Sequence, residues 1–394
     1  MEIKPFHPLM KSYSYQSPTR VVFGLNSLDK LTDELAAWSP KRSLIITGTS
    51  VCKNEAYCKV LDALASFGTP VEFKSIKPEP DSDSLNALAI EARNGQFDLV
   101  VGMGGGSTMD AAKVASLIAA NEGEPMKYFM GEPAAKKGPP IVTIPTLAGT
   151  GSEVTPITVV AHSGAKLSLK HRHLYPALAI VDPVLAMAAP PEATASAGAD
   201  ALCHAIESIM SVDSNSLTRA LCFEAINLVE SYLEKAYCNG SDIEARNGLA
   251  LASVMAGMAF QNTGLCLAHG IASTYALKAS LPHGTSVALA EPYAIEFNAP
   301  CIAERLEVIA AGLGIESSGA SGSELGEAIV DRILDIMCTL GLPSNLEDIK
   351  ISEDELEPMV DDLMGNYSTF ISKNPRKPSR EDLLDLYGRM LEGY

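Results

Sequence analysis

The first half of the chain alternates short apolar runs with stretches of helical periodicity. Apolar runs predict strands at 20–24, 43–48, 71–73, 98–102, 141–145 and 178–183, and helical patterns cover 50–67 and 81–93. Strands that alternate with helices at this spacing are typical of βαβ crossovers and a mainly parallel sheet.

The second half predicts helices only. After about residue 189 the strand pattern stops, and Pro190-Pro191 marks the change. Helical periodicity then covers 193–212, 217–237, 243–279, 302–313, 323–340 and 379–392. The sequence therefore predicts an α/β domain with a mainly parallel sheet over 1–188, followed by an all-α domain over 189–394.

Composition and charge narrow the class of protein. The 394 residues are 47% hydrophobic and 20% charged, with a formal net charge of −18, which is typical of a folded chain that repels nucleic acid and anionic membranes. The eight cysteines include no CxxC pair, and no apolar run reaches the roughly 18 residues of a membrane span. We therefore expect a cytoplasmic protein with reduced cysteines and no nucleic-acid or membrane partner.

Polar residues interrupt the apolar helical pattern of the second half at four positions. Asp200 and His204 have i,i+4 spacing, and His269 and His283 are each followed by glycine. A single histidine is more often an ordinary core or surface residue, but a buried carboxylate with three imidazoles indicates a divalent cation. This donor set suits Fe²⁺ or Zn²⁺ better than Mg²⁺ or Ca²⁺. Cys203 and Cys266 are the less favoured thiolate alternatives.

Two glycine-rich turns follow predicted strands in the first half. Strand 98–102 leads into Gly104-Gly105-Gly106-Ser107-Thr108, where backbone N–H groups and a helix N-terminus suit a phosphate, and Ser107 or Thr108 is placed to cap the helix. A second turn at 146–155 carries small and hydroxyl residues. One glycine turn is a weak signal, but two at the carboxyl ends of parallel strands predict a dinucleotide-binding domain.

Together these motifs resemble the iron-containing (group III) alcohol dehydrogenase family nearly end to end. The matching residues are 18–24, 104–107, 110, 112–113, 145–146, 149–155, 176, 182–183, 198–207, 268–270, 282–284 and 374–376. The resemblance implies a dehydroquinate synthase-like fold with the active site in a cleft between the two domains, and a homodimer or larger homo-oligomer. It implies metal ligation by Asp200, His204, His269 and His283, and cofactor binding by Gly104, Gly105, Gly106, Ser107, Thr108, Thr146, Thr150, Thr155 and Lys166.

The sequence departs from the family pattern at two positions. Gly48 stands where many members carry an aspartate that accepts the ribose hydroxyls and repels a 2′-phosphate, so we expect NADP(H) as well as NAD(H) to bind, with Lys53 in reach. Ser273 stands where many members carry a second histidine near the nicotinamide. A hydroxyl is a poor general base unaided, so the usual proton route is in doubt.

The resemblance implies an enzyme that transfers a hydride between NAD(P)(H) and a small primary alcohol or aldehyde, with a metal acting on the substrate oxygen. A polyol dehydrogenase of the glycerol type and a functionalised-aldehyde reductase are the nearest alternatives. An anionic substrate would use cations at Lys166, Lys170, His171, Arg172 and His173, although an exposed loop explains these residues more simply. A dehydroquinate synthase-like lyase and a non-catalytic nucleotide- or metal-binding protein are the remaining alternatives.

Overall fold

The structure is a computed structural model that describes residues 12–74, 76, 80–133, 136–317 and 319–394. Its contacts divide the chain into two compact units, Ser17–Ala189 and Pro190–Tyr394, and residues 12–16 group with the second. This division falls one residue from the predicted boundary at 188/189. Residues 1–11 of the predicted first domain lie outside the described residues.

The first unit is built on a parallel sheet of six strands. They are β1 (Arg20–Phe23), β2 (Arg42–Thr47), β3 (Thr69–Phe73), β4 (Leu99–Gly104), β5 (Ile141–Pro145) and β8 (Leu178–Val181), in the order β1-β8-β5-β4-β2-β3. The helices are α1 (Leu31–Leu35), α2 (Glu55–Ala65), α3 (Ser82–Asn94), α4 (Gly106–Ala120) and α5 (Met126–Phe129). The expected alternation of strands and helices around a parallel sheet is confirmed.

A two-stranded antiparallel ribbon follows β5 and was not expected from the sequence. It consists of β6 (Ile157–His162) and β7 (Ala165–Lys170), joined through Ser163 and Gly164, both with positive φ. The ribbon contains Lys166 and Lys170, so the expectation of an exposed loop at these two lysines is wrong. Strand β7 alternates apolar with polar residues and contains two lysines, whereas β6 is largely apolar at 157–161 but has only two fully buried positions, Thr158 and Val160.

Apolar side chains cover both faces of the six-stranded sheet. One buried cluster contains Leu44, Ile46 and Val100, and another contains Ile45 and Val101. Because successive strand residues point to opposite faces, these alternating positions fill two separate layers. The central strands are therefore apolar at nearly every position, as expected of a parallel sheet with helices on both sides.

The second unit is helical throughout its described residues. Its helices are α6 (Pro191–Met210), α7 (Ser216–Cys238), α8 (Ile243–Thr263), α9 (Leu267–Tyr275), α10 (His283–Asn298), α11 (Ala303–Gly312), α12 (Gly322–Thr339), α13 (Leu356–Gly365), α14 (Ser368–Lys373) and α15 (Arg380–Glu392). In the part of the chain that the structure describes, no single helix is long and apolar enough to cross a membrane. Helices α8 and α9 are long and apolar enough only when taken together, and the chain bends by 100° between them.

The expected helical architecture of this half is confirmed, but one predicted helix is broken in two, and α10, α13 and α14 were not among the predicted helices. The single helix predicted over 243–279 is broken into α8 and α9, because Gly264 adopts a φ of +70° that ends α8. The sequence predicts no helix over 283–298, where α10 lies. Pro292 sits inside this helix and hides its periodicity, and nearly all of its residues are buried, so it has no polar face to mark it.

Candidate functional site

Four side chains of the second unit converge on one point. Asp200 and His204 lie one turn apart on α6, His269 lies in the first turn of α9, and His283 begins α10. Asp200 Oδ1 is 3.6 Å from His204 Nε2 and 3.8 Å from the Nε2 atoms of both His269 and His283. Each residue offers one ligand atom, and these atoms all lie within 4.8 Å of one another. The structure thus brings together all four residues that the sequence analysis selected.

A glycine lets α10 approach α6 closely enough to complete this group. A Cβ at Gly284 would lie 2.8 Å from Asp200 Cβ and would overlap the carbonyl oxygen of Ser196. The backbone N–H of Thr285 donates to Ser196 Oγ at 3.1 Å, which fixes the start of α10 against α6. Helix α9 has a similar but looser requirement, since a Cβ at Gly270 would lie 2.8 Å from Leu363 Cδ1. The His-Gly dipeptides are therefore explained by packing as well as by chemistry.

The four side chains have the chemistry of a cation site. Asp200, His204 and His269 are at most 4% exposed, and the His283 side chain is 37% exposed, so the group is buried with one accessible member. Within the described residues, Asp200 Oδ1 and His269 Nε2 are buried and make no hydrogen bond. Polar atoms of this kind are costly to bury unless a cation satisfies them. Donors about 2.1 Å from a tetrahedral ion would lie about 3.4 Å apart, close to the 3.6–3.8 Å that separate Asp200 Oδ1 from the three histidine nitrogens.

The charges of this group are strongly coupled. Burial alone would raise the pKa of the Asp200 carboxyl, but the imidazoles of His204, His283 and His269 outweigh it and hold that pKa well below its usual range. Burial would lower the pKa of His269, but the Glu207 and Asp200 carboxylates raise it to about 9. Both shifts show that the buried carboxylates draw positive charge to this group, which a dication could supply in place of a proton on His269.

Neighbouring cysteines do not belong to the group. Cys203 and Cys266 are both buried, and burial raises the pKa of each thiol well above its usual value. Neither is among the four residues whose ligand atoms converge. Of the two ligand sets considered from the sequence, the described residues favour the imidazole and carboxylate set over a thiolate.

Ser273 has its hydroxyl committed within its own helix. Its Oγ donates to the carbonyl oxygen of His269, one turn earlier in α9, at 2.7 Å. A hydroxyl that donates to the i−4 carbonyl has used its only proton. This contact weighs against Ser273 as a proton carrier.

Glu207 has contacts that the sequence analysis did not anticipate. It lies on α6 three residues after His204, is fully buried, and its Oε2 is 2.5 Å from His269 Nδ1. The signal was available, because Asp200, His204 and Glu207 follow i, i+4, i+7 spacing and so share one face of an otherwise apolar helix.

The first glycine turn of the other unit joins β4 directly to α4. Gly104 has a φ of +156°, and a Cβ there would lie 2.7 Å from Thr108 Oγ1. Gly105 is the residue before the helix, and a Cβ at this position would meet no heavy atom of the described residues within 4 Å. The expected capping by Ser107 or Thr108 is wrong, because α4 begins earlier, at Gly106, and both hydroxyl residues lie inside it. The turn thus offers open space before a helix N-terminus, which suits a phosphate.

The second turn lies against the first. The backbone N–H of Thr146 donates to the carbonyl oxygen of Gly104 at 3.0 Å, and a Cβ at Gly106 would lie 2.8 Å from Thr150 Cγ2. Gly48 directly follows β2, whose last residue, Thr47, is in register with Met103 on β4. These residues therefore gather at the carboxyl ends of β2, β4 and β5, where α/β sheets bind ligands.

A buried lysine that had no assigned role holds the second turn in place. Lys113 on α4 is fully buried, and its Nζ donates to Ser152 Oγ and to the Ile157 carbonyl oxygen, both at 2.6 Å. It also lies 3.5 Å from Thr155 Oγ1 and 3.4 Å from Asp110 Oδ1. Thr155 is buried against this ammonium group, whereas Lys166 lies half-buried on β7.

Comparisons with known proteins agree on one family. Residues 18–183 match the model of the iron-containing alcohol dehydrogenases, and residues 194–391 match the model of the C-terminal part of the Fe-containing alcohol dehydrogenase family. Long-chain-alcohol dehydrogenase 1 of Geobacillus thermodenitrificans is 33% identical over 96% of this chain and 98% of its own length.

Two solved structures are similar along nearly the whole chain. The crystal structure of a 1,3-propanediol oxidoreductase has a TM-score of 0.90 at 29% identity, covering 96% of this chain and 99% of that one. A sulfoacetaldehyde reductase from Bifidobacterium kashiwanohense, in complex with NAD⁺, has a TM-score of 0.88 at 27% identity with the same coverage. Both the parallel-sheet unit and the helical unit are thus shared with these enzymes.

Proposed function

The chain belongs to the iron-containing alcohol dehydrogenase family, and from that premise we propose that it is an Fe²⁺-dependent enzyme that reduces a small aldehyde to a primary alcohol, or the reverse, with NAD(P)(H). That it is an alcohol/aldehyde oxidoreductase follows from the family. The metal, the cofactor preference, the site residues and the substrate are the proposal.

One observation carries the metal assignment. Asp200, His204, His269 and His283 offer four ligand atoms within 4.8 Å, and two of these atoms, Asp200 Oδ1 and His269 Nε2, are buried without a hydrogen bond from any described residue. These four residues would hold the ion, with Zn²⁺ as the other ion that suits the donor set. The bound ion would supply Lewis acidity at the substrate oxygen.

The protein residues around this group perform defined tasks. Asp200 supplies the negative charge, and the buried surroundings of α6 and α9 exclude water from three of the ligands. His283 has the exposed side chain, so the accessible side of the group lies there. Ser273 donates its proton within α9, so we assign it no proton transfer.

We propose the turns of the first unit as the dinucleotide site. Gly104, Gly105, Gly106, Ser107 and Thr108 would bind the pyrophosphate at the start of α4, with Thr146, Thr150, Thr155 and Lys166 as further cofactor residues. Nicotinamide supplies or accepts the hydride when the cofactor is bound. Gly48 places no carboxylate at the end of β2, which supports use of NADPH as well as NADH.

The substrate is proposed only as a class. Relatives carry names that range from a long-chain-alcohol dehydrogenase to a sulfoacetaldehyde reductase, so an uncharged and an anionic aldehyde both deserve testing. The basic ribbon offers Lys166 and Lys170, followed by His171 and Arg172, as partners of an anionic group. A homo-oligomer and a cytoplasmic location stay predictions.

The test is a measurement of reduced-nicotinamide absorbance with Fe²⁺-reconstituted protein, NADH or NADPH, and short aldehydes with and without an anionic group. We expect aldehyde-dependent oxidation that Asp200→Asn abolishes. Asp213→Asn is the matched control, since it removes a half-exposed carboxylate just beyond α6 that pairs with Lys373. Activity that persists in Asp200→Asn would overturn the metal assignment, and a strong NADH preference would overturn the role of Gly48.

A further inference from the structure

The strongest additional feature is the contact between Glu207 and the start of α9. Glu207 is fully buried on α6, and its Oε1 accepts a hydrogen bond from the backbone N–H of Ala268 at 2.8 Å and a longer one from that of His269 at 3.4 Å. These N–H groups lie in the first turn of α9, where they have no partner within the helix. Cys266, the residue before α9, caps none of them with its side chain, so a carboxylate from another helix takes that place.

The second oxygen of Glu207 determines the state of the His269 ring. Oε2 lies 2.5 Å from His269 Nδ1. An ionised carboxylate only accepts hydrogen bonds, so Nδ1 must carry a proton. The two backbone N–H groups occupy Oε1, which leaves Oε2 to face the ring. With one proton held on Nδ1 by Oε2, any second proton of the ring is on Nε2, and its loss to a metal ion would leave the Nε2 lone pair directed at the metal group.

We propose that Glu207 is a positioning residue that fixes the tautomer and orientation of His269, so that Nε2 is the metal ligand. This inference rests on the proposed metal site. The geometry explains why His269 Nε2 is buried beside Asp200 Oδ1, at 3.8 Å, without a hydrogen bond of its own. The Glu207 carboxylate therefore holds both the backbone at the start of α9 and the ring of His269, the third residue of that helix.

A second buried carboxyl provides the matched control. Glu291 on α10 is also fully buried, yet neither of its oxygens has a hydrogen-bond partner among the described residues. Burial, with the nearby Glu207 carboxylate, raises the pKa of Glu291 well above its usual value. Glu291→Gln replaces a buried carboxyl group that has no hydrogen-bond partner among the described residues by an amide of the same shape.

Glu207→Gln has a different consequence. If the amide oxygen stays on Ala268 N–H, the amide N–H groups face Nδ1 and favour the opposite tautomer, with the proton on Nε2. If the amide is flipped, its N–H groups face the N–H of Ala268. Neither arrangement satisfies both partners, although the volume of the side chain is unchanged.

The experiment uses the full chain, freed of metal and titrated with Zn²⁺ against a chromophoric chelator. We expect Glu207→Gln to bind Zn²⁺ about 10- to 100-fold more weakly than the wild type, and Glu291→Gln to bind it as the wild type does. The melting temperatures of the metal-free proteins show whether weaker Zn²⁺ binding comes from the position of the ligand or from a general loss of stability. Zn²⁺ binding by Glu207→Gln within twofold of the wild type would overturn the inference.

A second measurement keeps the inference testable if Glu207→Gln does not fold. Nitrogen-15 NMR of the Zn²⁺-loaded wild type, with labelled histidine, should show His269 protonated at Nδ1 and bound through Nε2. A ring protonated at Nε2 would overturn the inference. Asp200→Asn tests the proposed metal site independently of the role of Glu207. If Asp200→Asn binds Zn²⁺ as tightly as the wild type, the proposed metal site fails. If Asp200→Asn alone loses Zn²⁺, only the role of Glu207 fails.

Discussion

Replacing Gly284 with alanine perturbs the helix contact on which the four-residue group depends. The added Cβ would lie 2.8 Å from Asp200 Cβ and 2.8 Å from the Ser196 carbonyl carbon. Carbon atoms pack at about 3.5–4.0 Å, so α10 must move away from α6 by about 1 Å. Because the obstacle on the Ser196 side is backbone, a rotamer change cannot relieve it. His283, the residue before Gly284, would move with α10, away from Asp200.

The expected result is a loss of metal and of turnover. A displacement of about 1 Å at a reacting centre can cost about 100-fold in rate, and overpacking costs about 1–3 kcal/mol in stability. Mass spectrometry would measure the loss of metal, and nicotinamide absorbance the loss of kcat. Urea denaturation would measure the loss of stability.

Two glycine variants calibrate this prediction. The added Cβ of Gly270→Ala would lie 2.8 Å from Leu363 Cδ1, which a rotamer change can relieve, and at the milder distance of 3.0 Å from Phe370 Cβ, so its effect should be smaller. Gly388→Ala on α15 meets no heavy atom of the described residues within 4 Å. It should keep metal and activity and gain up to about 1 kcal/mol of helix stability. Wild-type metal affinity in Gly284→Ala would refute the close approach of α10 to α6.

Three further substitutions test other parts of the structure. Gly48→Asp should lower the NADPH-to-NADH ratio of kcat/KM by about tenfold or more, because a carboxylate repels each charge of the 2′-phosphate by about 1 kcal/mol at 4 Å in water. An unchanged ratio, or the same change in Gly48→Asn, would contradict this. Lys113→Met should cost about 3–5 kcal/mol in urea denaturation because it leaves the buried Asp110 carboxylate without its cation, although Ser152 and Val159 still donate to it. A cost no larger than that of the exposed Lys59→Met would contradict this. Ser273→Ala should keep kcat within about twofold, whereas a 100-fold loss or more would indicate proton transfer through this hydroxyl.

The sheet could be predicted because its strands are buried on both faces. Runs such as 98–102 and 141–145 are apolar at almost every position, and β4 and β5 lie there with shifts of at most two residues. The ribbon of β6 and β7 was missed although its residues carry strand patterns. Strand β6 has a short apolar run at 157–161, and β7 alternates apolar with polar residues from Ala165 to Lys170, with Leu167 and Leu169 packed against the buried cluster. The two strands form a separate antiparallel sheet, so the alternation of strands and helices that predicts a parallel sheet does not include them.

The helix boundaries near the candidate site were harder to predict than its residues. Helical spacing selects Asp200 and His204 because both lie within one long helix, α6. His269 and His283 lie in different helices, and the break at Gly264 depends on a backbone conformation that hydrophobic periodicity does not encode. Helix α10 is buried on nearly all sides, so its sequence has no amphipathic pattern to reveal it.

The burial of α6 makes its polar stripe more informative than any single motif. Every residue from Thr194 to Met210 is buried, yet Asp200, His204 and Glu207 lie on one face. Two carboxylates on a buried helix are stable only if positive charge and hydrogen-bond donors meet them. The start of α9 provides donors for Glu207, and imidazoles surround Asp200 Oδ1 without hydrogen-bonding to it. A dication bound among those imidazoles would balance both negative charges, so the same buried stripe would account for the folding of α6 against α9 and for the proposed chemistry.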